Sequence, residues 1–333
     1  MGERIVKPYL YVEIDNQNVS AYITPHLISF AYTDNDGLEK DATDDVEIVV
    51  ADSTGFFREN PPLRGSSLKV KFGYDSKVKD AGIFHIDSYQ YAIGRGGDTF
   101  TIKAMAKDVK ASFRTVKTVG FENTSLKSIA AKIASEQGYI LDFAGDDVVY
   151  KRITQQEKRD LEFLSGLCKQ YGFTCKTANQ KLIIRSLTER LASETLYVLN
   201  RAAVFSCSID VSSIYAADVD VKYLDPVENK THSSNEQTAV KSSGDTEKLN
   251  VRVENKGQAD KISEAKKTLL EMKEMNGSLT CVGLPDIHAS GAFELSGFGR
   301  YDRQYYISQA VHNISRGGYT TSMSFLVNPK VSS

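Results

Sequence analysis

The chain has 333 residues, 41% of them hydrophobic and 25% charged, with a formal net charge of −2. That length can hold two or three domains with buried cores, and the near-neutral balance excludes the strongly basic footprint of a nucleic-acid or anionic-membrane binder. Met1-Gly2-Glu3-Arg4-Ile5-Val6 lacks a basic start followed by an apolar run, so no signal peptide is predicted, and no apolar run approaches the roughly 18 residues of a membrane helix. Val6 stands where a myristoylation signal needs Ser or Thr.

The amino-terminal third alternates with period two. In Tyr9–Ile14, Leu10, Val12 and Ile14 oppose Tyr9, Tyr11 and Glu13; Val46–Val50 and Leu68–Phe72 continue the pattern. Ile83–Tyr91 and Phe100–Ala106 form a hairpin closed by Gly94-Arg95-Gly96-Gly97. No Lys-Ser/Thr and no helix follow these glycines, so they read as a turn that needs positive φ, not as a phosphate cradle. Residues 1–112 are thus expected to be a compact β unit, whose many short strands must close into a barrel or pair with another chain.

The period changes near Phe113. Leu126, Ile129, Ala130, Ile133 and Ala134 mark one face of a helix, with Asn123 or Thr124 as its cap and Gly138 at its end. Thr154-Gln-Gln-Glu157 reads as a capping box for a second helix, with Leu161, Leu164, Leu167, Cys168 and Tyr171 inward and Gly172 closing it. One short strand is expected between these helices. Two more, Gly172–Lys176 and Lys181–Arg185, should flank an Asn179-Gln180 turn. Residues 113–187 therefore form a small α/β insertion.

Strands resume at Leu196–Leu199, Val204–Val211 and Val219–Leu224. Residues 225–257 are rich in Asn, Ser, Lys and Glu, the composition of a long solvated linker, with room for a hairpin at Leu249–Val253. A helix over 258–275 presents Ile262, Ala265, Leu269 and Met272, and ends at Asn276-Gly277. The closing stretch, Gly283–Leu326, is three alternating segments punctuated by glycines, as in consecutive antiparallel strands. The fold class is β-rich α+β: two antiparallel β-barrel-like domains, 1–112 and 188–333, with the α/β insertion between them.

Chemistry-bearing patterns are scarce. There is no Gly-x-Ser-x-Gly, His-Glu-x-x-His or helix-opening GxGxxG. The cysteines, Cys168, Cys175, Cys207 and Cys281, lack metal or redox spacing and read as small core residues. His26, His85, His232, His288 and His312 are scattered. Glu157, Asp160 and Glu162 lie close in sequence, but capping and a solvated helix face explain them better than a glycosidase pair. Thr124-Ser-Leu-Lys-Ser-Ile-Ala is reminiscent of glycan-binding LysM modules, yet any capped helix with this stripe has the same letters. No catalytic, cofactor-binding or metal-ligating residue is singled out. Among 17 tyrosines, Tyr9, Tyr11, Tyr74, Tyr89, Tyr91, Tyr305, Tyr306 and Tyr319 sit on or beside predicted strands, as suits half-buried sheets and subunit interfaces.

Three ordered segments carry a resemblance. They are Phe121-Glu-Asn-Thr-Ser-Leu126-x-x-Ile129-Ala130; Gln155–Phe173 with its Asp-Leu-x-Phe-Leu and Tyr-Gly-Phe; and the Leu295-Ser-Gly-Phe-Gly299, Tyr305-Tyr-Ile307 and Gly317-Gly-Tyr-Thr-Thr321 series after Gly291. In order and spacing these resemble the phage late control gene D family of contractile-tail baseplate hubs, related to the hub part of type VI valine-glycine repeat proteins. The resemblance spans nearly the whole chain, except the polar linker. It implies a structural, non-catalytic homotrimer that adapts a hexameric tail tube or tube initiator to a trimeric spike, among other baseplate proteins, without cofactor, nucleic acid or membrane anchor. It also implies assembly in the bacterial cytoplasm and, because the chain ends at Ser333 without a needle-like β-helix, a spike that is a separate polypeptide. The alternative reading is a tail-associated peptidoglycan hydrolase or glycan-binding protein.

Overall fold

The computed structural model describes residues 7–38, 43–106, 115–212, 218–225, 230–237, 246–250 and 253–330. The first β unit comprises β1 (Pro8–Ile14), β2 (Gln17–Asn18), β3 (Leu27–Asn35), β4 (Asp45–Ala51), β5 (Ser67–Tyr74), β6 (Lys77–Gly94) and β7 (Gly97–Met105). Positive φ at Asp15 and Asn16 makes the two-residue turn between β1 and β2, the geometry that matches strand twist. Gly94 faces Gly97 across the β6–β7 hairpin, so the glycine cluster is a turn.

β3 is the strand that period-two reading overlooks. Phe30 and Tyr32 point inward, but the next inward position is Asp34, buried like its neighbours, and a buried carboxylate interrupts the apolar alternation. Its omission matters, because β3 pairs with β20 (Gln304–Ser315) of the closing stretch. The two β units are therefore parts of one 13-stranded sheet.

Five further strands serve this sheet: β13 (Thr195–Asn200), β14 (Val204–Val211), β18 (Met275–Val282), β19 (Ala292–Ser296) and β21 (Gly318–Val327). Its path is β14-β18-β21-β20-β3-β4-β7-β6-β5-β1-β2, with β19 also on β20, and β13 on β19. One edge of β20 pairs with β21 throughout. The other pairs with β19 from Gln304 to Tyr306 and with β3 from Gln309 to Ser315. A register irregularity between Ile307 and Gln309 falls at this change of partner, where a bulge can redirect a strand.

Packing follows the sharing. Ile314 and Tyr319 join Phe30, Phe72, Phe84 and Phe100 in the core of the first unit. Phe293, Leu295, Tyr305, Ile307 and Phe325 form the core of the second. Burying each such aliphatic or aromatic side chain contributes roughly 1.5–3 kcal/mol. The closing stretch, expected as one unit's wall, lines both.

The intervening segment contains β8 (Lys117–Ser125), α1 (Leu126–Gln137), β9 (Ile140–Ala144), β10 (Val149–Lys158), α2 (Asp160–Gln170), β11 (Phe173–Ala178) and β12 (Lys181–Ser186). All five expected stripe residues of α1 are buried, and Gly138 is left-handed at its end. The cap is Ser125, whose hydroxyl accepts from the Ser128 amide at 3.2 Å, while Thr124 is taken into β8. Ser125→Ala should cost about 1 kcal/mol, read as a lower urea midpoint with an unchanged slope.

The Thr154–Glu157 capping box does not form. Thr154 pairs with Gly120 inside β10, Glu157 has φ of 47°, and α2 begins only at Asp160. Pairing with β8 outcompetes the local cap, and two strands, β9 and β10, occupy the space where one was expected. Gly172 is left-handed after α2. Asn179 and Gln180, both at positive φ, turn β11 into β12.

The polar stretch also departs from expectation. β15 (Asp218–Asp225) is the central strand between β16 (Lys230–Gln237) and β17 (Thr246–Asn250), and α3 (Lys256–Lys273) packs across β15 and β16. Pairing with β15 satisfies their backbone groups, so β16 and β17 need little apolar content. Part of the predicted Leu249–Val253 hairpin lies outside the described residues. Asn255 caps α3, and Glu254 accepts from the Lys151 and Arg152 amides of β10 at 2.6 and 2.8 Å. The linker thus returns to the α/β segment. Asn276 and Gly277, expected to end the helix, belong to β18.

Candidate functional site

Several residues with catalytic potential sit in packed surroundings. His312 is buried, with Nδ1 2.7 Å from the Tyr319 hydroxyl and Nε2 3.0 Å from the Ile287 carbonyl. Burial holds its pKa down to about 4, outweighing the carbonyl contact that favours the cation. It is a neutral ring stacked on Tyr32. Burial raises the Cys168, Cys207 and Cys281 thiols, which disfavours the nucleophilic thiolate. Among the described residues no group of three or more His, Cys, Asp or Glu side chains is arranged to hold a metal ion.

Asp160, read as part of a solvated face, is instead buried. Its carboxylate meets Lys117 Nζ at 2.7 Å and accepts from Gln155 and Gln137 amides at 2.9 and 3.3 Å. The hydrogen bond to Asp160 is the largest cause of the raised Lys117 pKa. This arrangement pins β8, β10, α1 and α2 together. Glu157 lies exposed at the irregular end of the β8–β10 ladder.

A second buried ion cluster ties the α/β segment to the first β unit. Lys176 of β11 places Nζ 2.5 Å from Asp34, 2.8 Å from the Asn35 carbonyl and 3.2 Å from Asp44. Asp34 also accepts from the Ala289 amide at 3.0 Å, and Asp44 from the Asn35 amide at 2.9 Å. Beside it the Cys175 amide donates to the Gly37 carbonyl at 3.2 Å. A Cβ on Gly37 would lie 2.6 Å from the Cys175 carbonyl oxygen, at a φ of +82°. Only glycine suits that approach. These partners are 132 and 142 positions apart, and no local motif announces them.

The surface offers open strand edges. β14 pairs only with β18, and β13 only with β19, leaving one edge of each open among the described residues. β13 has no charged residue and β14 only Asp210. Neither has the lysine or proline that commonly blunts an edge. Val198, Phe205 and Val211 are exposed there, Phe205 at 66%. No helix among the described residues is long and apolar enough to cross a membrane.

Comparison with known proteins agrees with this picture. The family model described as the Alg8 N-terminal domain matches residues 58–316. A probable baseplate hub protein of Escherichia phage 186 is 23% identical over 370 residues, covering 96% of this chain and 93% of that protein. The crystal structure of the 43 kDa tail protein of prophage MuSo2 from Shewanella oneidensis shares the fold at a TM-score of 0.74 and 14% identity, over 97% of this chain and 99% of that one. An Escherichia coli type VI secretion component, described as structurally similar to T4 bacteriophage tail proteins, shares it at 0.58 and 10% identity, over 96% of this chain and 76% of that one. The chain belongs to the family described as the Alg8 N-terminal domain, and its kin are the phage baseplate hub proteins that the late control gene D resemblance indicated.

Proposed function

We propose that this structural baseplate hub acts as a homotrimeric ring joining a hexameric tail tube to a trimeric spike. In this reading two barrel-like units, 1–112 and 188–333, flank the 113–187 insertion, and three copies present six similar units to the tube. The observation that carries it is similarity to a baseplate hub protein along nearly the full length of both chains. The open β13 and β14 edges support it, since a cyclic assembly satisfies edges that a monomer leaves bare. The protein is a structural component of a tail particle and not an enzyme. Assembly in the bacterial cytoplasm belongs to the same proposal.

Light scattering should give three times the chain mass for the purified chain, and that mass plus three spike chains for its complex with the cognate spike. Phe205→Asp should shift the trimer towards monomer, with an unchanged unfolding midpoint for the monomer. A monomer at micromolar concentration that binds neither spike nor tube protein would overturn the proposal. On a cell-wall zymogram the protein should leave no cleared band.

A further inference from the structure

The Asp34–Asp44–Lys176 cluster has more negative than positive charge. One ammonium serves two carboxylates, whose side chains are 8% and 3% exposed, and its own side chain is 11% exposed. Two buried carboxylates sharing one cation leave an uncompensated charge where desolvation is costly, and a bound proton removes it. Among the described residues, the charges around the cluster are of both signs. Asp34 influences both the Arg190 guanidinium, on the short helix Leu187–Leu191, and His312 on β20. Arg190 also feels Asp36, and His312, itself neutral, also faces His288 and Lys79. Tyr32 on β3 meets Asp34, Asp44 and Asp45 together, and Tyr306 on β20 meets Asp36 and Arg190.

We propose that this cluster is a proton-dependent clamp, holding the α/β segment to the first β unit most firmly when Asp44 carries a proton and loosening when that proton leaves. The parts it joins are β3 and the entry to β4 on one side, β11 on the other, and the Ala289 backbone of the closing stretch. Asp44 is the proton's place. Burial raises it to about 7 against the opposing pull of Lys176, with Asp34 adding to the rise. A carboxyl whose folded pKa is raised contributes stability that is fully present below its ordinary value, near 4, and is lost as pH climbs through 7. His312 acts in the opposite sense, because its folded pKa is lowered: its contribution is full above about 6.5 and lost as pH falls towards 4.

Because the two trends oppose each other, the test compares the intact chain with Asp44→Asn, which keeps the shape and leaves Lys176 with one carboxylate. Equilibrium unfolding in urea at pH 6 and pH 8 should show the folded-to-unfolded ratio of the natural chain falling, relative to the variant, by about tenfold over that span. Hydrogen exchange at the Cys175 amide, corrected for intrinsic rate, should accelerate over the same span in the natural chain only. An equal wild-type-to-variant ratio at both pH values would overturn the proposal. So would a carboxyl-carbon NMR titration of Asp44, in the unmodified protein, with its midpoint in the ordinary carboxylate range.

Discussion

Lys176→Met is expected to destabilise the protein by about 3–5 kcal/mol, because it removes the shared cation and leaves two buried carboxylates facing each other. The loss should be greater at pH 8 than at pH 5, since Asp44 can take a proton at the lower pH and relieve the repulsion. Urea unfolding at the two pH values measures both quantities. Lys176→Met combined with Asp34→Asn and Asp44→Asn should recover most of the stability, since neutral polar groups of the same size then fill the site. Lys176→Arg should not substitute for the native residue: a planar guanidinium needs more room than an ammonium held by three partners. Little loss in the single variant would show that water reaches the cluster.

Phe325→Ala is expected to cost about 3–5 kcal/mol, the range for a large aromatic removed from a core that relaxes only partly. Its ring lies 4.8 Å from that of Tyr305 and 5.3 Å from that of Phe293, both near edge-to-face. Beneath it Gly277 leaves room that a Cβ would take, 2.7 Å from the Phe325 ring. The hole would open between β21 and β18, the strand that carries open-edged β14. Phe205→Ala, on that exposed edge, should alter unfolding by no more than about 0.5 kcal/mol. Chemical denaturation of the two variants separates a residue that holds the fold from one on an exposed strand edge.

The two helical stripes around Leu126 and Leu164 were legible because a 3.6-residue period is a local signal: the first is wholly buried, and in the second Leu161 is only half-buried while Phe163, outside the predicted stripe, is buried. The tight turns at Gly94–Gly97 and Asn179–Gln180 were legible for a similar reason: few residues accept positive φ. The capping box at Thr154 misled, since its four letters also suit a strand when β8 is available to pair. β3 escaped notice because Asp34 faces the core, and its reason for doing so, Lys176, lies far along the chain. The polar stretch after Asp225 looked solvated, yet pairing with β15 and packing on α3 give β16 a place. What stayed hidden in each case was a partner distant in sequence.

The division of β20 between two sets of partners bears on the order in which the chain can be made and folded. As synthesis proceeds, β1 to β7 emerge early, but β3 lacks β20, and the first core lacks Ile314 and Tyr319, until the closing stretch has emerged. Contacts so far apart in sequence form slowly and late. A chain halted before β20 and β21 therefore cannot complete either core, so the earliest strands must wait, partly bare, for the latest.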